Sequence, residues 1–474
     1  MNVLASAAPK PASPEATDET PQPAGPAPDS VALAIELEQA GKLAEAQACL
    51  DRVLERTPDE ADAVHLAGVL AFRAGRRDEA ARLMERSLGL GAPKHSYFRN
   101  LCEVYRNLGR YDEALAAGLK ATAAKPDDPI AQINLAVLHY ARGEPGPSIA
   151  AAERALAIDA NAPAAHFALA EAFLLQGEFD RGWEEYEWRF RLKGVPSLMP
   201  KSDIPQWDGA TMTEGRLMLI ADQGFGDCIQ FARYIPWAAA RAPEVVVACG
   251  REMRPLISQV PGVKMMFERW DDCPKCAAYL PLSGLPRVHG TRLGAVPAEI
   301  PYLRPDPAKA ASWAARLGTL TAPSHRRIGL VWAGRPTHLN DHNRSVALQT
   351  LAPVTAVDGV TLVSLQKGSP QSQVGSYFGR APLINLGPEL GDFDDTLAVI
   401  DGLERVVTVD TSIAHLAGAM GKPVWILLPH AADWRWLERR ADTPWYPSAR
   451  LFRQPAHGDW ASVMSAVAEA LTEA

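Results

Sequence analysis

Two short segments place polar side chains at the predicted ends of apolar strands. In the first, ADQGFGD at residues 221–227, Gly224 and Gly226 allow the backbone to turn tightly and to approach a ligand. Asp227 then enters the following helix, which offers free N–H groups and the positive end of its dipole. A carboxylate in this position can act as a general base, or it can cap the helix and favour its dipole. The segment alone leaves both interpretations open.

The second segment is VVTVDTSIAHLAGAM, residues 406–420. Asp410 ends an apolar run, Thr411 and Ser412 open a helix, and His415 lies one turn further on. Unpaired N–H groups and the helix dipole converge at such a helix start, so the segment predicts a phosphate-binding corner.

Two further loops carry cations and an amide toward the same predicted cleft. Arg335 and Arg344 lie in residues 333–346, after the apolar run IGLVWAG, and Gln366 and Lys367 follow the next strand. Cations from separate loops beside a helix N-terminus predict a site for a diphosphate. Each cation alone is also compatible with a solvated loop charge.

Two patterns are typical of metal sites. Asp392, Phe393 and Asp394 form a D-x-D sequence, but they open a helical stretch where a carboxylate caps the helix. Cys273 and Cys276 form one CPKC without a second pair, so two ordinary loop thiols are favoured over a zinc or redox site. We therefore expect no metal.

The elements that must position these residues follow from the alternation of the chain. From Arg216, short apolar runs such as RLMLIA and EVVVACG alternate with helical stretches, and a second series begins at RRIGLVWAG. This order predicts two doubly wound parallel sheets in series, with ligands at the carboxyl ends of the strands. Trp434, Trp436 and Trp445 follow the last core strand, and packing is favoured over stacking on a base.

The first third of the chain has a strict internal period. Glycine recurs every 34 residues, and a small residue stands five positions beyond each glycine, at Gly41, Gly75, Gly109, Gly143 and Gly177 and at Ala46, Ala80, Ala114, Ser148 and Gly182. A 34-residue period belongs to the tetratricopeptide (TPR) helical hairpin, whose repeats stack into a concave surface that binds another chain. The aromatic stretch WEEYEWRF, residues 183–190, is predicted to cap the end of this solenoid against the next domain.

These patterns divide the chain into five parts. They are an Ala/Pro-rich disordered leader (1–28), five repeats (29–192), a connector (193–215), an acceptor-side half (216–320) and a donor-side half with a crossing C-terminal helix (321–474).

Composition sets further limits. A formal charge of −8 argues against a nucleic acid or an anionic membrane as partner. No apolar run reaches the length of a membrane span, and the N-terminus lacks a signal peptide, so we expect a cytoplasmic protein without a transmembrane segment. Six scattered cysteines do not indicate a disulfide framework.

Several motifs in order carry a resemblance to a known family. They are WDG, DQGFGDCIQFARYIP, IGLVWAG, NDHNRSV, VSLQKG, LGPELGDFDDTLAVI, VDTSIAHLAGAMGKPVWILLP, DWRW, PWYP and LFRQ. Across residues 180–465 the chain resembles bacterial TPR proteins whose C-terminal half is similar to glycosyltransferase family nine, the heptosyltransferase-like enzymes of the GT-B fold. In architecture alone it is also similar to the protein O-linked N-acetylglucosamine transferases.

The resemblance implies roles for the residues of the two segments and loops. It implies an acceptor-activating carboxylate at Asp227, a cation for the donor phosphates at Arg344, a ribose or base contact at Gln366 and Lys367, and a diphosphate cradle at Asp410, Thr411, Ser412 and His415, with Gly224 and Gly226 in the donor loop. Asp222 stands where related TPR proteins usually have Glu. The acceptor-side half is short for a lipopolysaccharide acceptor and fits a protein acceptor better.

The chain is therefore expected to combine an α-solenoid with a GT-B-like pair of Rossmann-type α/β domains. The resemblance implies an inverting, metal-independent glycosyltransferase with a nucleotide sugar as substrate and no other cofactor. Its acceptor would be a protein or glycan recruited by the concave TPR face. Two alternatives stay open: a catalytically inactive scaffold, and a redox enzyme, which the missing third glycine and ribose-binding acid disfavour.

Overall fold

A computed structural model of the chain describes residues 29–194, 200, 203–297, 299–338 and 340–473. The predicted leader, 1–28, lies outside the described residues, as do residues 195–199, 201 and 202 of the predicted connector. No helix within the described ranges is both long and apolar enough to span a bilayer.

The chain divides into two compact units. The first comprises the described residues of Met1–Ala172 and Trp188–Val195, and the second comprises Phe173–Glu187 with the described residues of Pro196–Ala474. The sequence placed all of 29–192 in the solenoid, whereas the structure groups Phe173–Glu187 with the α/β part of the chain.

Ten helices form five successive hairpins. They are α1 (Val31–Gln39), α2 (Leu43–Arg56), α3 (Ala61–Arg73), α4 (Arg77–Leu88), α5 (His95–Asn107), α6 (Tyr111–Ala124), α7 (Pro129–Ala141), α8 (Pro145–Ile158), α9 (Pro163–Gln176) and α10 (Phe179–Tyr186). Neighbouring helices pack in sequence order from α1 to α8, as a solenoid requires. The predicted helical repeats are confirmed.

Each hairpin turns at the glycine of the 34-residue period. The five glycines have φ between 72° and 82°, the left-handed region that only glycine enters without strain. After each, the next N–H bonds back to the carbonyl five residues earlier, at 2.8 to 2.9 Å, as in Arg76 to Ala71 and Arg110 to Tyr105. The period therefore marks a repeated helix-ending turn.

The small residues five positions further on are buried where the two helices of a hairpin meet. Ala46, Ala80, Ala114 and Ser148 are fully buried. At Gly182 a Cβ atom would lie 2.7 Å from the Leu174 side chain of the preceding helix. A larger side chain would push the two helices apart.

Four parallel strands form the first sheet of the second unit. They are β1 (Arg216–Ile220), β2 (Glu244–Ala248), β3 (Val263–Phe267) and β4 (Ala278–Pro281), in the order β3-β2-β1-β4. Helices α11 (Phe225–Ala232) and α12 (Ile235–Ala239) follow β1, α13 (Arg254–Ile257) follows β2, and α14 (Leu285–His289) follows β4.

Six parallel strands form the second sheet, in the order β10-β9-β8-β5-β6-β7. They are β5 (Arg326–Val331), β6 (Val360–Ser364), β7 (Leu383–Asn385), β8 (Arg405–Val409), β9 (Val424–Leu428) and β10 (Ala449–Arg453). The accompanying helices are α15 (Pro307–Leu320), α16 (Asp341–Arg344), α17 (Ala352–Thr355), α18 (Phe393–Asp401), α19 (Ser412–Ala419) and α20 (Trp460–Glu473). The predicted alternation of strands and helices around parallel sheets is confirmed.

The strand order determines which loops become neighbours. In the second sheet β5 lies between β6 and β8, so the order reverses there and the loops after β5 and β8 leave the same edge side by side. In the first sheet β1 lies between β2 and β4. Asp222 connects the loop after β1 to the segment after β4, because its carboxylate accepts a hydrogen bond from the Ser283 N–H at 3.1 Å.

Candidate functional site

The first helices after β1 and β8 approach each other closely at Gly226. A Cβ atom at Gly226 would lie 2.8 Å from His415 Cδ2 and 3.6 Å from Ser412 Cα, so only glycine lets α11 pack here against α19. Gly224 is the N-cap of α11, with an ordinary φ of −67°. Glycine is therefore needed at position 226 because the two helices pack closely there. The sequence had indicated a different reason, a tight turn of the backbone.

Asp227 lies in the first turn of α11, as predicted. Its Oδ2 accepts the Gly224 N–H at 3.0 Å, so the carboxylate caps the helix. Its Oδ1 accepts from the guanidinium of Arg435, and 24% of the side chain is exposed. The capping interpretation is therefore observed directly, while the side chain stays partly exposed to solvent.

Arg435 is the site residue that sequence reasoning missed. It is buried, and it donates to Gln230 Oε1 at 2.7 Å and to Asp433 Oδ1 at 2.8 Å as well as to Asp227. Burial disfavours its charge, but Asp433 and Asp227 outweigh burial and hold the pKa of Arg435 well above its usual value. The sequence did contain a signal: Arg435 stands between two tryptophans in DWRW. An arginine that is buried with such neighbours needs carboxylate partners.

Arg344 reaches the end of β8, where the sequence placed a cation. Its Nη1 donates to the Asp410 carbonyl oxygen at 3.0 Å, and its Nε lies 3.4 Å from Asp341 Oδ1. A Cβ atom at Gly334 would come within 2.6 Å of Nη2, so the loop after β5 needs glycine to admit the guanidinium. The positive charge lies beside the N-terminus of α19.

The pKa of the Asp410 carboxyl group is raised above its usual value. Burial and the neighbouring charge of Asp433 raise the pKa of Asp410 to about 6, against the opposing effects of Arg344, Trp436 and Arg435. Above this pKa the carboxyl is mostly ionised, and below it the protonated group can donate a hydrogen bond to an anion.

The start of α19 has the predicted hydroxyls. Thr411 is the N-cap and its Oγ1 accepts the Ile413 N–H at 3.3 Å, and Ser412 is the first helical residue. His415 is buried, its Nδ1 is 2.9 Å from the Tyr446 hydroxyl, and its ring stacks on Trp436. Burial and three nearby arginines hold the pKa of His415 well below its usual value, so the imidazole is neutral. His415 therefore supports the helix start from inside.

The side-chain amide of Gln366 forms all its hydrogen bonds with backbone groups. Its Oε1 accepts the Trp332 and Ala333 N–H groups, both at 3.0 Å, and its Nε2 donates to the Ala333 and Lys367 carbonyls at 3.0 and 2.9 Å. The ammonium group of Lys367 donates to the Leu390 carbonyl. A ribose or base contact by Gln366 would break four hydrogen bonds, so the side chain holds the loop after β5 in place.

An open groove begins directly after Lys367. Its volume is about 560 Å³, and it is lined by Gly368, Ser369, Gln371, Ser372, Val374, Gly375 and Asn385. Asn385 Oδ1 is buried there without a hydrogen-bond partner among the described residues. The lining surface is mostly apolar, and hydroxyls, amides and an unsatisfied acceptor lie within it, a combination typical of ligand-binding pockets.

Aromatic residues close the site from two sides. Phe225, at the start of α11, meets Phe393 edge-on at 5.2 Å between ring centroids, and the Arg335 guanidinium carbon lies 5.8 Å from the Phe225 ring. The three predicted packing tryptophans, Trp434, Trp436 and Trp445, are almost fully buried, which confirms that interpretation.

Helix α10 also contributes to the site. The Tyr186 hydroxyl exchanges hydrogen bonds with the Gln223 amide, at 3.1 and 3.2 Å, in the loop that leads to Asp227. The Trp183 ring packs on Trp434 with a centroid distance of 5.3 Å. The aromatic stretch predicted as a cap is thus packed, through α10, against the residues that hold Asp227 and Arg435.

The D-x-D sequence is a helix cap. Asp392 Oδ1 accepts the Asp395 N–H at 2.9 Å at the start of α18, so the predicted capping role is confirmed. The Lys309 ammonium group lies 3.1 to 3.4 Å from Asp392, Asp394 and Asp395. A lysine from α15 therefore pairs with these carboxylates and offsets part of their negative charge.

Comparison with known proteins establishes the class of the N-terminal region. Models of the tetratricopeptide repeat match residues 31–95 and 99–163, and another such model matches residues 163–182. The N-terminal region thus consists of TPR repeats.

Three particular proteins share stretches of similarity. The chain is 27% identical over 453 residues to the protein FlbA of Caulobacter vibrioides, which covers 88% of this chain and 73% of FlbA. It is 31% identical over 112 residues to the Hsp70-Hsp90 organizing protein of Triticum aestivum, 24% of this chain and 19% of the wheat protein. The crystal structure of YrrB, a TPR protein with an unusual peptide-binding site, is 18% identical over 34% of this chain and 84% of YrrB, with a TM-score of 0.29.

Proposed function

We propose that the protein is a glycosyltransferase that moves a sugar from a nucleotide-activated donor to a hydroxyl of a protein or glycan acceptor. The observation that carries the proposal is the meeting of Asp227, Arg435, Arg344 and the N-terminus of α19 at the carboxyl ends of β1 and β8. This arrangement provides a partly exposed carboxylate on one side, and cations with the positive end of the α19 dipole on the other. The resemblance to GT-B enzymes supports the same assignment.

The transfer needs a stabilised leaving group. As the bond between the anomeric carbon and the phosphate oxygen breaks, negative charge grows on the departing phosphate. The Arg344 guanidinium and the positive end of the α19 dipole are suited to that charge, because both are held in place by the fold before the ligand arrives. A protonated Asp410 would add a hydrogen-bond donor.

The transfer also needs a base. The acceptor oxygen forms a bond to the anomeric carbon, and its proton passes to the Asp227 carboxylate. Arg435 fixes the orientation of that carboxylate, and attack from the face opposite the leaving phosphate inverts the anomeric centre. The step requires no metal, and Lys309 already pairs with the D-x-D carboxylates.

The nucleotide end of the donor is assigned to the groove from Gly368 to Asn385. The groove adjoins Lys367, where the sequence predicted the ribose or base contact, while the Gln366 amide is occupied by backbone groups. The acceptor is assigned to the TPR repeats, since such repeats bind other chains along their concave face.

A thermal-shift and turnover assay with a panel of nucleotide sugars tests the proposal. At a donor concentration near 100 times Kd, binding to the folded state adds about 2.7 kcal/mol of stability. We expect at least one donor to raise Tm and to be consumed, and Arg344→Ala to abolish both effects. Arg316→Ala, at an exposed arginine of α15, should leave both unchanged.

A second candidate function is an inactive TPR scaffold. It is favoured by one observation: both oxygens of Asp227 already accept hydrogen bonds, from Gly224 and Arg435. Absence of any shift and any turnover across a broad donor panel would favour the scaffold over the enzyme.

A further inference from the structure

Three sulfur atoms meet on one face of the four-stranded sheet. Met218 lies on β1, and Cys273 and Cys276 lie in the loop between β3 and β4. Cys273 Sγ is 3.7 Å from Met218 Sδ. Both thiols also donate to one acceptor, the Pro274 carbonyl oxygen, at 3.4 Å from Cys273 and 3.2 Å from Cys276. Met218, Cys273 and Cys276 also belong to one apolar cluster, so the three side chains lie near one another.

The surroundings of these sulfurs are apolar. Met218 is fully buried, Cys276 is 8% exposed, and Ile220, Val246 and Phe267 belong to the same cluster. Cys273 is only partly buried, so the sulfur cluster can be reached from solvent. Within the described residues, no group of three or more His, Cys, Asp or Glu side chains is arranged to hold a metal ion.

This donor set selects one kind of metal ion. Two thiolates and a thioether are soft ligands, which favour Cu(I), whereas Zn²⁺ usually takes four nitrogen, oxygen or thiolate ligands. Cu(I) accepts two or three sulfur ligands, and the C-x-x-C loop with Met218 offers that number.

We propose that Met218, Cys273 and Cys276 bind one Cu(I) ion. On binding, the two S–H bonds break and release two protons to solvent, and three copper–sulfur bonds form. Copper enters and remains as Cu(I), so no electron is transferred. The ion would join β1 to the loop that covers this face of the sheet. This site is separate from the proposed transfer site, so either assignment can fail without the other.

Competition for Cu(I) tests the proposal on the full-length chain. The protein is titrated anaerobically with Cu(I) in the presence of the chromogenic chelator bathocuproine disulfonate. We expect one equivalent to be withheld from the chelator. Cys273→Ser and Cys276→Ser should each weaken binding by at least about 10- to 100-fold, the loss seen even for residues that only support a metal site. Met218→Leu keeps the side-chain volume and should weaken binding less.

Cys249→Ser is the matched control, since Cys249 is another buried thiol of the same sheet domain outside the cluster. It should withhold copper as the unaltered chain does. X-ray absorption of the copper-loaded, unaltered protein should show three sulfur neighbours, a readout that does not depend on any variant folding. Copper binding that survives the double Cys273→Ser, Cys276→Ser change, or preferential retention of Zn²⁺ over Cu(I), would overturn the proposal.

Discussion

Arg435 holds Asp227 in place while sharing its charge with Asp433. In the proposed reaction Asp227 takes the acceptor proton, so Asp227→Asn should lower kcat by about 100-fold or more while donor affinity stays nearly constant. Steady-state kinetics with donor and acceptor varied in turn measures both quantities. Asp227 also pairs with the buried Arg435, so Asp227→Asn should lower Tm as well, although Arg435 keeps Asp433 as a partner.

Asp433→Asn serves as the control for that variant. It removes a carboxylate from the same guanidinium without touching the proposed base. If Asp433→Asn lowers kcat as strongly as Asp227→Asn does, the effect belongs to Arg435, and Asp227 is not the base.

Asp410 predicts a pH dependence of stability. Its pKa of about 6 in the folded protein lies above the value of about 3.9 in an unfolded chain. Between these values the folded state binds more protons, so this group makes the free energy of unfolding fall as pH rises through the window. The stability of Asp410→Asn relative to the unaltered chain should therefore increase between about pH 4 and pH 7.

Urea denaturation of both proteins at the two ends of that range gives the comparison. Because His415 and other groups titrate in both chains, only the difference between the two proteins reports on Asp410. An identical change with pH in the two proteins would contradict the raised pKa.

Local features of the site were predictable from the sequence, and distant pairings were not. The Asp392 cap joins residues three apart, and the Thr411 cap joins residues two apart. The local sequence alone therefore indicated both caps. The Asp227–Arg435 pair joins residues 208 positions apart, and nothing in either segment names the other. The Gln366 contacts with Trp332 and Ala333 were not indicated for the same reason, since these residues lie 34 and 33 positions away.

At the scale of elements, α10 marks the start of the α/β unit. A chain beginning at Lys193, the predicted domain boundary, would lack α10 and expose the faces of Trp434 and Phe231 that Trp183 covers. Loss of one such buried aromatic side chain costs about 3 kcal/mol, so Tm should fall by at least about 6 °C relative to a chain beginning at Pro163. Differential scanning fluorimetry of the two fragments measures this.

Trp183→Ala in the full-length chain checks the cause. It should reproduce most of the loss, whereas Trp270→Ala, at a tryptophan with 45% exposure, should not. Equal stability of the two fragments would mean that α10 is dispensable.

The elements were predicted where the local period was strong. A turn with positive φ requires a glycine every 34 residues, so the repeat was visible in the sequence. Alternating apolar runs indicated both sheets. The sequence did not show that α10 belongs to the second unit, because its helical pattern continues the repeat. Only tertiary contacts group Phe173–Glu187 with that unit.

At the scale of the whole molecule, the proposal assigns acceptor recruitment to the repeats. A chain beginning at Pro163 should still bind donor, yet its kcat/KM for a protein acceptor should fall by about 100-fold, because tethered recruitment raises the effective acceptor concentration by such factors. Donor hydrolysis by water should be unchanged. Transfer by the fragment as fast as by the full-length chain would place acceptor recognition outside the repeats.

The turn glycines make the solenoid a set of interchangeable blocks. Gly75 is followed by Arg-Arg-Asp-Glu-Ala and Gly109 by Arg-Tyr-Asp-Glu-Ala, and Arg76 and Arg110 each pair with the glutamate three residues on. Excision of residues 76–109 would therefore join equivalent turns with every helix still in phase. We expect the shortened chain to unfold cooperatively with nearly unchanged helicity per residue, whereas removal of 30 residues should scramble the register. Gene copies of this protein could thus gain or lose whole repeats, and change the length of partner they accept, without redesigning the fold.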